Sequence, residues 1–217
     1  EHGLTYHDPG SNTSLRLKTK AILPAVKAQG RNHLGQPMHV TGEMVLNGKS
    51  YKVDSYSFRD RSWRGKRPES NTPMPPMTYS NGITSDGKIA FNFCGADDPA
   101  KGVDWHDRYP LTPDQLLLEG WVHRDGQLSK VVRMSKKSEI DKADFMRVLS
   151  WVCELEDELG RVTVIRAHRK AALPFCPWAS LYNDWGQFGF TIDGGGEGHC
   201  VTNDFFTNHY ARTIQIP

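Results

Sequence analysis

The feature that most constrains this chain is a series of turn dipeptides, each set between runs rich in Val, Ile, Thr, Tyr and Phe. Asn47-Gly48, Asp86-Gly87 and Asp125-Gly126 place residues tolerant of positive φ where a two-residue primed turn needs them. They separate HVTGEMVL from SYKVDSYSF and LLLEGWVH from QLSKVVRM, which read as hairpin arms. Glu158-Leu159-Gly160 and Asp193 through Gly196 continue the series at similar intervals. The spacing predicts about ten strands built two at a time, an antiparallel meander. An all-β sheet of that size without covering helices must curl into a barrel or a curved half-barrel with a side-chain-lined interior.

The segment Asp144 to Leu155 fits two periods, because Phe145, Val148, Leu149 and Val152 also mark one face of a helix. Pairing it with the β-branched RVTVIRAH across a turn makes it a strand, and SKKSEIDKA before it reads as a short helical turn. KRPESNTPMPPMT, from Lys66 to Thr78, is too proline-rich for a regular element. Its Met74 and Met77 serve either as a flap over a pocket mouth or as ordinary packing on the barrel, with packing favoured.

At 217 residues the chain falls in the range of one domain, 1–217, with a core large enough to need neither disulfide nor metal. A formal net charge of +2, from 27 basic and 25 acidic residues spread along the chain, argues against a nucleic-acid partner. The densest basic run, Arg59, Arg61, Arg64, Lys66 and Arg67, reads as a solvated strand end. Cys94, Cys153, Cys176 and Cys200 form no C-x-x-C pair and are expected as reduced, buried thiols. No apolar run approaches the roughly 20 residues of a membrane span, and the first residues have no signal-peptide pattern, so a soluble, cytoplasmic chain is expected. The sequon Asn12-Thr13-Ser14 adds little, and the missing initiator Met points to a processed or trimmed chain. No pattern calls for a cofactor or a metal.

Strand alternation divides Tyr56 to Trp63 into two faces, with Tyr56, Phe58, Asp60 and Ser62 on one and Ser57, Arg59, Arg61 and Trp63 on the other. A carboxyl group beside Tyr and Phe inside a barrel is poorly solvated, so Asp60 could stay neutral and donate a proton. The alternative is an ion pair with an adjacent or cross-strand Arg, the commoner fate of a charged residue on a strand.

The segment HLGQPMHVTGEMVLNGKSYKVDSYSFRDRSWRGKR resembles the signature of the AttH-like and carotenoid hydratase (hydroxyneurosporene synthase) superfamily. CELEDELGRVTVIRAH, WASLYNDWGQFGF and DGGGEGHCVTNDFF resemble its downstream blocks, so the similarity runs from about His33 to Arg212. The resemblance implies a lipocalin-like β-barrel domain, often one of two per chain, and an enzyme that adds water to alkenes or a relative that guides cyclisations. It makes Asp60 the proton donor and Trp63 a pocket wall. Arg61 stands where many members have His, and Arg64 where Gly is usual, so the role of that His is not carried over.

Protonating an alkene needs a dry cavity, a neutral acid and aromatic faces for the cation, and Tyr56, Phe58, Trp63 and Trp121 are suitable in type. His106, in Asp104-Trp105-His106-Asp107, is a candidate base for the water or else a solvated loop histidine, since Pro99, Gly102 and Pro110 mark the stretch as irregular. Trp185 and Asp204 are secondary candidates. Asp184-Trp185 reads as a strand start, and Asn203-Asp204 as a strand or turn residue whose side chain caps local backbone. Gly194, Gly195, Gly196 and Gly198 read as a hairpin tip, because no helix follows to face a phosphate. Three functions compete: a hydratase or dehydratase acting on an isoprenoid-like alkene through Asp60, a carrier of a hydrophobic ligand, and a cyclase supplying shape. The enzyme is preferred. Because relatives often have two barrel-like halves, the alternatives for assembly are one half of a longer protein or a chain that pairs with another copy or a partner domain.

Overall fold

The computed structural model describes residues 2–28, 32–63, 73–144 and 146–213. Arg64, Lys66, Arg67, Phe145 and the first part of the Lys66–Thr78 segment lie outside the described residues. Among the described residues there are thirteen strands, one short α-helix and two single-turn 3₁₀ helices. The chain divides into two compact units, Glu1–Gly65 and Lys66–Pro217.

The first unit is an open antiparallel sheet. Its strands are β1 (His2–Asp8), β2 (Thr13–Ala21), β3 (Val26–Lys27), β4 (His33–Leu46) and β5 (Lys49–Ser62). β4 is central, with β2 and the short β3 along one edge and β5 along the other, while β1 flanks β2. Asn47 (φ 49°) and Gly48 (φ 78°) form the primed turn between β4 and β5, closed by the pair Leu46–Lys49. The alternation of residue types makes the sheet two-faced. Registered rows put Leu4, Leu17 and Val53 on one face, with Tyr6, Leu15, Met44 and Tyr51 one row on and Val40 and Met38 on the other side. The opposite face carries Lys18, Thr41 and Asp54, then Arg16, Glu43 and Lys52.

The second unit is a closed barrel of eight strands: β6 (Met77–Thr84), β7 (Ala90–Ala96), β8 (Leu117–Arg124), β9 (Gln127–Asp141), β10 (Arg147–Asp157), β11 (Val162–Trp178), β12 (Leu181–Ile192) and β13 (Glu197–Thr207). Each strand pairs with its neighbours in sequence, and β13 closes the ring by pairing with β6. The predicted all-β meander is therefore present, and its closure removes both sheet edges. Asp125 (φ 56°) and Gly126 (φ 72°) make the tight β8–β9 turn.

The barrel interior is filled rather than hollow along most of its length. Phe91, Phe93, Trp151, Phe188 and Phe190 are buried in one cluster. Phe93 meets the Trp151 ring edge-on at 5.5 Å, and Phe91 meets Phe190 at 5.2 Å. A Cβ on Gly82 would stand 2.3 Å from the Phe91 ring, so glycine is what lets that ring cross β6. The irregular stretch between β7 and β8 adds Trp105, Tyr109 and Leu116 to the same cluster, and α1 (Asn208–Ala211) adds Tyr210.

Several local expectations change. SKKSEID is not a helical turn but the continuation of β9 to Asp141, because it pairs throughout with β10. The arm expected at Asp144–Leu155 is β10, starting at Arg147. At Asp86-Gly87 only Gly87 has positive φ, and the connection is longer than two residues, held by the Thr84 hydroxyl donating to Asp86 and the Gly87 N–H donating to the Thr84 carbonyl. Cys94, Cys153 and Cys200 are buried, but Cys176 is exposed.

Candidate functional site

Asp60 is not on a strand of the barrel. It sits near the end of β5, on the open sheet of Glu1–Gly65, with its side chain 46% exposed. A strand that belongs to an open sheet cannot enclose its side chains, which is why the expected buried acid is half in solvent. The continuous β4–β5 register keeps Tyr56, Phe58, Asp60 and Ser62 on one face as alternation requires. His33, at the start of β4, was not singled out from the sequence, although it pairs with Ser62 in the ladder that runs back from the Asn47-Gly48 turn. Its Nε2 lies 3.0 Å from Asp60 Oδ1, with the imidazole only 14% exposed. The acid is thus coupled to an imidazole, the partner best suited to share a proton near neutral pH. Nearby on the same face, the Tyr56 ring is 5.3 Å from that of His39, whose Nε2 lies 2.7 Å from Asp54 Oδ1. Trp63 follows the strand with Lys27 Nζ 5.9 Å from its ring centre.

The buried carboxyl groups are in the barrel. Asp184 on β12 and Asp204 on β13 are cross-strand partners, and Thr78 on β6 stands opposite Asp204. The Thr78 hydroxyl donates to Asp204 Oδ1 at 2.5 Å, while Oδ2 has no partner among the described residues. Burial raises the Asp204 pKa to about 7, against the pull of the Lys136 charge and the Thr78 hydrogen bond. Asp204 is therefore an inward strand residue, not a cap on local backbone. Asp184 is raised too, chiefly by burial, although its Oδ2 accepts the Val148 N–H at 2.8 Å and the Arg169 guanidinium. Lys136, also fully buried, is bonded to Asp97 and to the Ser138 hydroxyl at 2.5 Å. Two cations thus match two carboxylates, and Asp204, in contact with neither cation, keeps its proton up to about pH 7. Buried within the barrel, this network has the character of a structural polar core.

The remaining predicted residues are dispersed. His106 is exposed in the irregular stretch between β7 and β8, and the carboxylate of neighbouring Asp104 is engaged by Lys142 and the Tyr210 hydroxyl. Trp121 is on β8 but registers with Asn92 and Lys130, the side facing away from the barrel axis, whereas Val122 points inward. Trp185 is on the outer side of β12, well inside the strand and not at its start, with its ring 5.9 Å from Phe175. Met74 and Met77 pack on the core, as packing methionines would. Gly194, Gly195 and Gly196 all have positive φ in the β12–β13 turn.

Residues 1–204 match the family described as Domain of unknown function (DUF7064). No curated protein matches the chain at a significant level. Among solved structures, kievitone hydratase from Nectria haematococca is similar, with a TM-score of 0.55 at 8% identity. An AttH-like protein from Nitrosomonas europaea is similar with a TM-score of 0.57 at 13% identity. Each alignment covers 96% of this chain but only 66% and 64% of the other, so the chain spans about two thirds of either neighbour. In both cases the likeness is one of fold.

Proposed function

The chain belongs to the DUF7064 family, and from its hydratase-type fold and the Asp60–His33 pair we propose that it is a hydro-lyase acting on an apolar, unsaturated, isoprenoid-like molecule. The observation that carries this reading is the 3.0 Å contact between the His33 imidazole and a carboxyl group that solvent, and hence a substrate, reaches. Asp60 is also the acid at the sharpest point of the family resemblance.

In the hydration direction the pair gives a proton to the less substituted alkene carbon, leaving a carbocation at the more substituted one. Tyr56 and Phe58, on the same face as Asp60, offer aromatic faces to that cation. Water adds to the cationic carbon and returns one proton to the pair, so the net change is alkene plus water to alcohol. Dehydration is the same sequence reversed. His33 keeps the carboxyl oriented and takes the proton between steps, the part for which the sequence suggested His106. The kievitone hydratase fold supports the reaction class, and no separate cofactor is required for it.

The test is incubation of the full chain with a panel of prenylated alkenes and the matching tertiary alcohols, read by mass spectrometry. A mass change of one water with native protein, reduced about a hundredfold or more in Asp60→Asn, is the expected result, in line with the usual contribution of a general acid. Equal conversion by both proteins removes Asp60 from the mechanism.

A further inference from the structure

The first unit carries a second feature, on the face of its sheet turned away from Asp60. A groove of about 350 Å³ is lined by His2, Thr19, Met38, Val40, Ser57, Phe58 and Arg59, so only Phe58 is shared with the face that carries Asp60. That volume lies at the lower end of the range for small-molecule sites. Its apolar floor does not stop at the groove. The ladder continues through Leu17 and Val53 to Leu15, Met44 and Tyr51, while on β1 Leu4 and Tyr6 leave about half their surface in water. From Met38 to Met44 this strip runs about 20 Å along the strand.

The charges on that face are arranged unevenly. Arg59 lines the groove, and Arg61, two residues further along β5, registers on the same side. Neither guanidinium has a carboxylate partner among the described residues, and Arg59 Nη1 donates to the Gln36 side-chain oxygen at 3.5 Å. Along the registered rows of this face the carboxylate is Asp8, at the far end, where it is held by the Gly10 N–H and the Ser11 hydroxyl of its own turn. Glu43, Asp54 and Asp60 all point to the opposite face. Among the described residues the pattern is an apolar strip whose cationic end carries no carboxylate.

We propose that this groove binds a single-chain amphiphile with a carboxylate head, the head on Arg59 and the alkyl chain along Met38, Val40 and the strip beyond. A guanidinium favours a carboxylate over a hydroxyl because two parallel charge-assisted hydrogen bonds are available to it. The site is distinct from the Asp60–His33 pair, since strand alternation sets Arg59 and Asp60 on opposite faces, and it does not depend on any turnover.

The test is calorimetric titration of the full chain with hexadecanoate below its aggregation concentration, with hexadecanol and a hexadecyl trimethylammonium salt as controls. One hexadecanoate per chain is expected, with affinity about tenfold or more above that of the alcohol, the effect of one charge-assisted contact. Arg59→Gln should lose that discrimination. Ser57→Trp should fill the groove and weaken all chain binding, and both exposed substitutions should leave the thermal unfolding midpoint in place. Equal affinity for acid and alcohol, an unchanged response in Arg59→Gln, or binding only to anionic vesicles overturns the proposal. So does a stable dimer by analytical ultracentrifugation that excludes hexadecanoate, which would assign the apolar face to a second copy.

Discussion

Asp204 is the residue whose ionisation should be most visible in the stability of the fold. In the folded barrel its pKa stands at about 7 against 3.8 for an aspartate free in water, first because burial disfavours the charge. That rise corresponds to roughly 4 kcal/mol. Below pH 3.8 the folded and unfolded chains both carry the proton and no penalty exists. Between 3.8 and about 7 the folded chain keeps a proton that the unfolded chain releases, so stability from this group falls as pH rises. Above about 7 both forms are ionised and the penalty is constant. Asp204→Asn is neutral at every pH, fits the same space and keeps an acceptor for the Thr78 hydroxyl. Urea unfolding followed by the fluorescence of buried Trp151 and Trp105, from about pH 4 to about pH 8, should show the variant gaining on the native protein by about 4 kcal/mol across that range. Groups that do not feel the Asp204 charge titrate alike in both proteins and drop out of the difference, which then reports Asp204 together with the response of Asp184 and Arg169 to it. A difference flat to within about 1 kcal/mol would refute the neutral-acid reading of the barrel interior.

Other substitutions probe other parts of the account. Trp151→Ala removes the ring that joins Phe93 to Phe188 and should cost about 3–5 kcal/mol in urea unfolding. Gly48→Val, at a φ of 78° and with its Cβ 2.9 Å from the Asn12 amide, should cost about 1–2 kcal/mol in the same assay. In the native protein a thiol reagent should modify Cys176 alone, because burial protects the other three and pushes the Cys200 thiol up to about 12, while denaturation should expose all four.

Much of the fold was legible because tight turns are local. Asn47-Gly48 and Asp125-Gly126 announce their geometry in two residues, and both fall where positive φ is needed. The first hairpin was not, since Pro9 to Asn12 offers no such dipeptide and its arms mix polar with apolar residues. SKKSEID hid its strand character because Lys and Ser carry little β preference, and pairing with β10 overrides that. What the sequence could not reveal is which strands close on one another. The barrel is sealed by β13 on β6, a pairing of residues more than a hundred positions apart, and without it nothing distinguishes Asp60 on an open sheet from Asp204 in a closed one. The same limit applies to the tryptophans. Trp121 and Trp151 both sit in alternating strands, yet one faces out of the barrel and the other fills it. His33 was recoverable by counting outward from the Asn47-Gly48 turn.

The central claim is that proton transfer belongs to Asp60 on the open sheet, while the neutral acid in the barrel serves the core. Turnover of an accepted alkene in deuterium oxide, with the label at the new carbon–hydrogen bond followed by NMR, tests it directly. The account predicts that Asp60→Asn abolishes carbon deuteration and that Asp204→Asn, once folded, retains it. Deuteration that survives in Asp60→Asn and vanishes in Asp204→Asn would contradict it.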